Sequence, residues 1–208
     1  MRSSRVLEML NQNRIDELKA ALQDEIFTES LKRKPDAKKR YAAMKKYISY
    51  TSSAREILQK PCPVEIEGHK YLSFCNSYSL ALTKESCGEI ELCDTPDRYP
   101  SVSRLINYDG TARKVDICRA IAEAKSNGYK LTKNAIHSND YLMHYDGAYF
   151  RIALLDITYG IINDGKEARV YHKEGSRYAI TITTDIGVAV VMPVSMYDEP
   201  TGTVIEVN

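Results

Sequence analysis

The chain has 208 residues, 43% of them hydrophobic, which suits one domain of ordinary size with a short appendage. Its formal charge of +1 hides a split, because residues 1–60 hold 14 Lys and Arg against 8 Asp and Glu, whereas residues 61–208 hold 15 against 20. Its 5 cysteines include no C-x-x-C pair, which argues against a disulfide framework or a zinc ribbon, and no apolar run approaches the roughly 18 residues of a membrane span.

The start, Met1-Arg2-Ser3-Ser4, runs into a polar amphipathic pattern without the apolar core of a signal peptide, so a cytoplasmic protein with reduced thiols is expected. Residues 4–60 read as helical. Val6, Leu7 and Leu10 open a short turn. Asn13 then caps a longer segment with Asp16 and Glu17 at its positive end and Ile15, Leu18, Leu22 and Ile26 on one face. Lys32, Arg33 and Lys34 fall near its end and Pro35 stops it. Asp36 caps the next helix, which carries Tyr41, Met44, Tyr47 and Ile48 on one side. Ser53 and Glu56 have capping-box spacing before Ile57 and Leu58, and Pro61 and Pro63 close the region.

Beyond this the period becomes two. Val64 and Ile66, then Tyr71, Leu72 and Phe74, form a hairpin turning at Gly68, and Tyr78, Leu80 and Leu82 form a third strand. A helix is expected over 114–127, with Val115, Cys118, Ile121 and Ala122 as its stripe and Gly128 as its stop. Strands follow at Ala135–His137 and Tyr141–His144. Residues 150–162 read as a helix, although Ile157, Thr158, Tyr159 and Ile161 also favour a strand. Val170–Tyr171, Tyr178–Thr184 and Val188–Met192 complete the set, with Ile186-Gly187 turning the last hairpin. Helices packed on antiparallel strands in two successive groups define an α+β fold.

Two segments point further. Tyr99-Pro100-Ser101-Val102-Ser103-Arg104-Leu105-Ile106 links the two groups, and Val190-Val191-Met192-Pro193-Val194-Ser195-Met196 ends the last strand. With Cys75-Asn76-Ser77-Tyr78-Ser79-Leu80-Ala81, of which only the Leu80-Ala81 end matches, their order and separation resemble the bacterial DNA polymerase sliding clamp. The resemblance covers residues 61–196 and implies one clamp-like domain over 36–208, preceded by a helical extension over 1–35. Ser101 stands where the family has an acid; Ser79 stands where it has an arginine, and this second departure counts against encirclement of DNA.

The resemblance implies a non-enzymatic replication-associated module whose C-terminal strand docks short peptides of replication or repair proteins, here at Val190, Met192, Pro193, Val194 and Met196. Methionine suits a surface that adapts to several ligands. Separately, the basic run holding Lys38, Lys39, Arg40, Lys45 and Lys46, interleaved with Tyr41 and Tyr47, suits weak DNA binding without sequence preference. The alternative is a nucleic-acid-binding regulator whose basic N-terminal helices do the binding and whose α+β body dimerises or senses a ligand.

No catalytic or phosphate-binding motif is present. His137, His144 and His172 are scattered, Asp140, Asp146, Asp156 and Asp164 lie beside turns or caps, and Cys87, Cys93 and His69 are too loosely spaced for structural zinc. No metal, cofactor or membrane partner is expected. A closed ring would need six such domains in this family, and the tail from Tyr197, with Asp198, Glu199 and Pro200, discourages edge pairing, so a monomer or dimer is expected.

Overall fold

The computed structural model describes residues 14–15, 35–50, 55–84, 90–173, 177–195 and 200–207. Of the segments read over residues 4–34 only Arg14 and Ile15 are among these. The rest of the helical extension up to residue 34, Ser53 of the expected capping box, Cys87 and Met196 to Glu199 lie outside the described residues.

Three helices and ten strands are described: α1 (Pro35–Tyr50), β1 (Cys62–Ile66), β2 (His69–Cys75), β3 (Ser79–Thr83), β4 (Arg113–Val115), α2 (Ile117–Ser126), β5 (Tyr141–Tyr145), β6 (Ala148–Arg151), α3 (Ile152–Ile162), β7 (Ala168–Tyr171), β8 (Ile180–Thr183), β9 (Gly187–Val191) and β10 (Thr203–Glu206). Seven strands form one antiparallel sheet in the order β1-β2-β3-β9-β8-β7-β4. A second sheet has the order β10-β5-β6, with β10 parallel to β5. Mixed α+β architecture with a largely antiparallel sheet is thus the observed fold class.

The centre of the large sheet is the β3–β9 pair, which joins strands about a hundred residues apart in register Leu80↔Val190 and Leu82↔Val188. Both faces of this pair are covered, so β9 is buried throughout and its residues divide by alternation. Ala189 and Val191 belong to the main core with α3, whereas Val188 and Val190 belong to a second cluster with Leu58, Cys62, Cys75, Leu80, Leu82, Tyr99 and Val102. Helix α3 is covered by α1 and flanked by α2, which makes 9 of its 11 residues buried. A helix apolar all round carries no amphipathic period, which is why its sequence also reads as a strand. Gly160 of α3 lets α1 approach closely, since a Cβ there would lie 3.1 Å from that of Ala43.

Several local expectations are corrected. Pro35 opens α1, a position its fixed φ and missing donor suit, and Asp36 sits inside the first turn. Asp116 caps α2 by accepting from Arg119 N–H at 2.8 Å, so Val115 belongs to β4. The buried face of α2 is Ile117, Ala120, Ile121 and Ala124, while Cys118 and Ala122 are exposed. The expected strand at Ala135–His137 is a 3-10 turn over Asn134–Ile136. Hairpin turns at Glu67-Gly68 and Asp146-Gly147 place both residues of each pair at positive φ, as a tight hairpin requires.

The tail also differs from expectation. Residues Thr203–Glu206 pair with Tyr141–His144, covering an edge of the small sheet. Strand β9 is central in the large sheet, so its pairing needs no discouragement by the tail. The edges there are β1, which holds Pro63 and Glu65, and β4, which holds Arg113 and Lys114.

Candidate functional site

The three segments that carry the resemblance meet in the second cluster. Asn76 Oδ1 accepts from the backbone N–H of Tyr78 at 2.7 Å and of Ser79 at 2.8 Å, a local turn that turns the chain into β3 and leaves Tyr78 43% exposed. Met192 N–H donates to Tyr78 O at 2.9 Å, which sets a 42% exposed methionine beside that tyrosine. Pro193 has no N–H to continue the ladder, and Val194 N–H turns instead to Tyr149 O at 2.8 Å. The chain therefore leaves the large sheet here and runs to β6.

Around Tyr78 the rim is polar. Arg151 Cζ lies 5.5 Å from the ring centroid, within cation–π range, and its Nε donates to Asn139 Oδ1 at 2.9 Å. The His137 ring meets Tyr78 edge-on at 6.4 Å. An apolar pair beside a fixed guanidinium offers a place for an apolar side chain followed by a carboxylate.

The expected docking residues separate. Met192 is exposed and Pro193 half-buried, but Val190 is 3% exposed and packs in the cluster with Leu80, Tyr99 and Val102. Val190 is therefore core, as period-two alternation on a two-sided strand requires. Val194 is also buried, and Met196 lies outside the described residues. The linker is anchored by Tyr99, whose hydroxyl donates to Ser73 O at 3.3 Å and accepts from Ser73 Oγ, also at 3.3 Å. Burial raises the Tyr99 hydroxyl well above the ordinary tyrosine range, so it stays protonated. Tyr78, Arg151 and His137 escaped sequence reading as site residues because they come from three separate segments. The one local clue was the Asn76-Ser77 turn that lifts Tyr78 out of the sheet.

A second feature lies on the other side of α3. Lys38, Lys39, Lys45 and Lys46 are exposed, whereas Arg40 is 8% exposed and donates from Nη1 to Asn163 O at 3.2 Å. Arg40 thus fastens α1 to the end of α3, which corrects its expected role in nucleic-acid binding. Lys39 and Lys46, two turns apart on α1, line a groove of about 730 Å³ together with Lys125 and Lys130. Asp36 pairs with Lys39 at 3.5 Å and Asp156 with Lys125 at 3.2 Å. Lys45 lies 4.6 Å over the Tyr41 ring. The contribution of Lys125 and Lys130 is invisible in the sequence, since only packing brings them to α1.

His144 and His172 are engaged in the structure. His144 Nδ1 is 2.8 Å from Glu206 Oε2, across the β5–β10 pair. His172 is buried, with Nε2 3.2 Å from Tyr178 O and Nδ1 3.6 Å from Asp146 Oδ2, the carboxylate that also holds Arg113 at 2.9 Å. Among the described residues no group of His, Cys, Asp and Glu is placed to hold a metal ion, and no helix is long and apolar enough to cross a membrane. No protein-family model, curated protein or solved structure matches this chain.

Proposed function

We propose that this chain is a non-enzymatic binding module of DNA replication, similar to one clamp-like domain, that docks a short peptide of a replication or repair protein at Tyr78, Met192 and Pro193. One observation carries the reading: Cys75–Ala81, Tyr99–Ile106 and Val190–Pro193, the separate segments that resemble the clamp, pack together around Leu80, Val190, Tyr99 and Val102. They leave Tyr78, Leu105 and Met192 exposed on those same segments. The cytoplasm is the setting this reading implies.

A short peptide with an apolar residue next to an acidic one is expected to bind with a Kd of about 1–100 μM, as small interfaces do. Tyr78→Ala or Met192→Ala should weaken it about tenfold, with the fold intact. Titration followed by nuclear magnetic resonance decides the matter: unmoved amide signals at Tyr78, Met192 and Val194 would reject this surface. Hydrolase and nuclease assays should stay silent throughout.

The basic groove supports a second contact of the same module, with a nucleic-acid backbone. Binding should be weak and indifferent to sequence. Replacing Lys39, Lys46 and Lys130 with Ala should flatten the dependence of log K on log salt by up to about three. An unchanged slope in fluorescence anisotropy would confine these lysines to solubility. The rival regulator reading needs basic helices that act apart from the body. Helix α1 instead buries Met44 and Tyr47 in the main core, which favours the single-module reading. Pro63 and Glu65 on one edge of the large sheet, and Arg113 and Lys114 on the other, disfavour strand addition and support a monomer or dimer.

A further inference from the structure

Two cysteines far apart in sequence come together where the stretch Glu91–Asp94 passes the start of β1. Cys93 N–H donates to Pro61 O at 2.9 Å, so the backbone of residue 93 runs against the residue preceding Cys62. Lys60 Nζ holds the same stretch from both sides of Cys93, at 2.6 Å from Glu91 Oε1 and 3.1 Å from Asp94 Oδ2. Cys62 is fully buried in the second cluster, and half-buried Cys93 packs against it.

We infer that Cys62 and Cys93 are a redox modification site, which a peroxide converts to a reversible disulfide that pins the Glu91–Asp94 stretch to β1. The sulfur of Cys93, a residue only half-buried, attacks a peroxide oxygen; the O–O bond breaks, water leaves and a sulfenic acid forms. The Cys62 sulfur then displaces that hydroxyl, the S–S bond forms and a second water leaves. Two thiols lose two electrons and two protons, and hydrogen peroxide becomes two waters.

Geometry selects Cys93 over the other buried thiol. Cys62 pairs with Ser73 in the β1–β2 register, so Cys75 lies two positions along the neighbouring strand. Such diagonal pairs are roughly 7–8 Å apart, beyond ordinary disulfide reach. Burial, reinforced by the neighbouring Cys93, pushes the Cys62 thiol up to about 11, and its Sγ lies 3.5 Å from Pro63 O. Cys62 is thus a poor first target at neutral pH and serves in the second step, which should quicken about tenfold for each unit that the pH rises toward that value.

The test uses the full chain carrying Cys87→Ser and Cys118→Ser, treated with hydrogen peroxide. The expected product is monomeric, about 2 Da lighter, reversed by dithiothreitol, mapped to a Cys62–Cys93 peptide, and several degrees more heat-resistant. Adding Cys93→Ser, at a position that is not fully buried, should abolish the mass loss. Sulfinic acid accumulating at Cys93, a Cys62–Cys75 link, or dimers joined through Cys93 would each overturn the inference. This chemistry stands whatever binds at Tyr78 and Met192.

Discussion

Gly187→Ala is expected to destabilise the protein by about 3 kcal/mol, lowering Tm by roughly 6–12 °C for a chain of this size. A Cβ at this position would lie 2.2 Å from Leu82 O and 2.6 Å from Ile162 Cγ2. Leu82 O is backbone in the central strand β3, opposite the start of β9, and Ile162 is fully buried at the end of α3. Neither can yield without moving the sheet against the helix. Gly147→Ala provides the contrast. It meets nothing within 4 Å but sits at φ +77°, so its cost is confined to backbone strain of about 1 kcal/mol. Scanning calorimetry on both variants checks the argument, and equal losses would show that close packing is not the cause at Gly187.

Tyr47→Ala should cost about 3–5 kcal/mol, because it empties a site that is 2% exposed beneath α1. Tyr47 joins the basic helix to the sheet. Its hydroxyl donates to Ser79 O at 3.0 Å, and its ring meets Phe74 edge-on at 5.9 Å. Burial raises its hydroxyl well above the ordinary range, so no pH short of strong alkali breaks the bond. Tyr47→Phe keeps the packing and removes only the hydroxyl's contacts with Ser79, whose carbonyl still accepts from Asn76 N–H at 3.0 Å, for a smaller loss of about 1 kcal/mol. Urea titration separates the two. A Tyr47→Ala variant as stable as wild type would mean that α1 is an appendage, and the regulator reading would regain its footing.

The elements with a clean period were legible from sequence alone. The β1–β2 hairpin follows from alternation around Glu67-Gly68, and α2 from Ile121 and the Gly128 stop, although Val115, Cys118 and Ala122 were read into the stripe in place of Ile117, Ala120 and Ala124 because Val115 looks as helical as Ile117. Where burial comes from two sides the period vanishes. Helix α3 and strand β9 are both nearly uniform apolar runs, and only their partners say which is which. Gly187 was read as a turn residue. It is a strand residue kept small by α3 and β3, a requirement written in residues more than twenty positions away.

Local period, charge and motif content by themselves determined that this is an α+β domain with a basic helical face and no catalytic motif, because they need no partner to be read. Tertiary structure alone decided that Val190 and Arg40 are buried, that Tyr78, Arg151 and Met192 share a surface, that Lys125 and Lys130 join Lys39 and Lys46, and that Cys93 packs on the cluster holding Cys62. Each of these depends on contacts between distant segments, and which face of a strand or helix is covered is fixed by what packs on it.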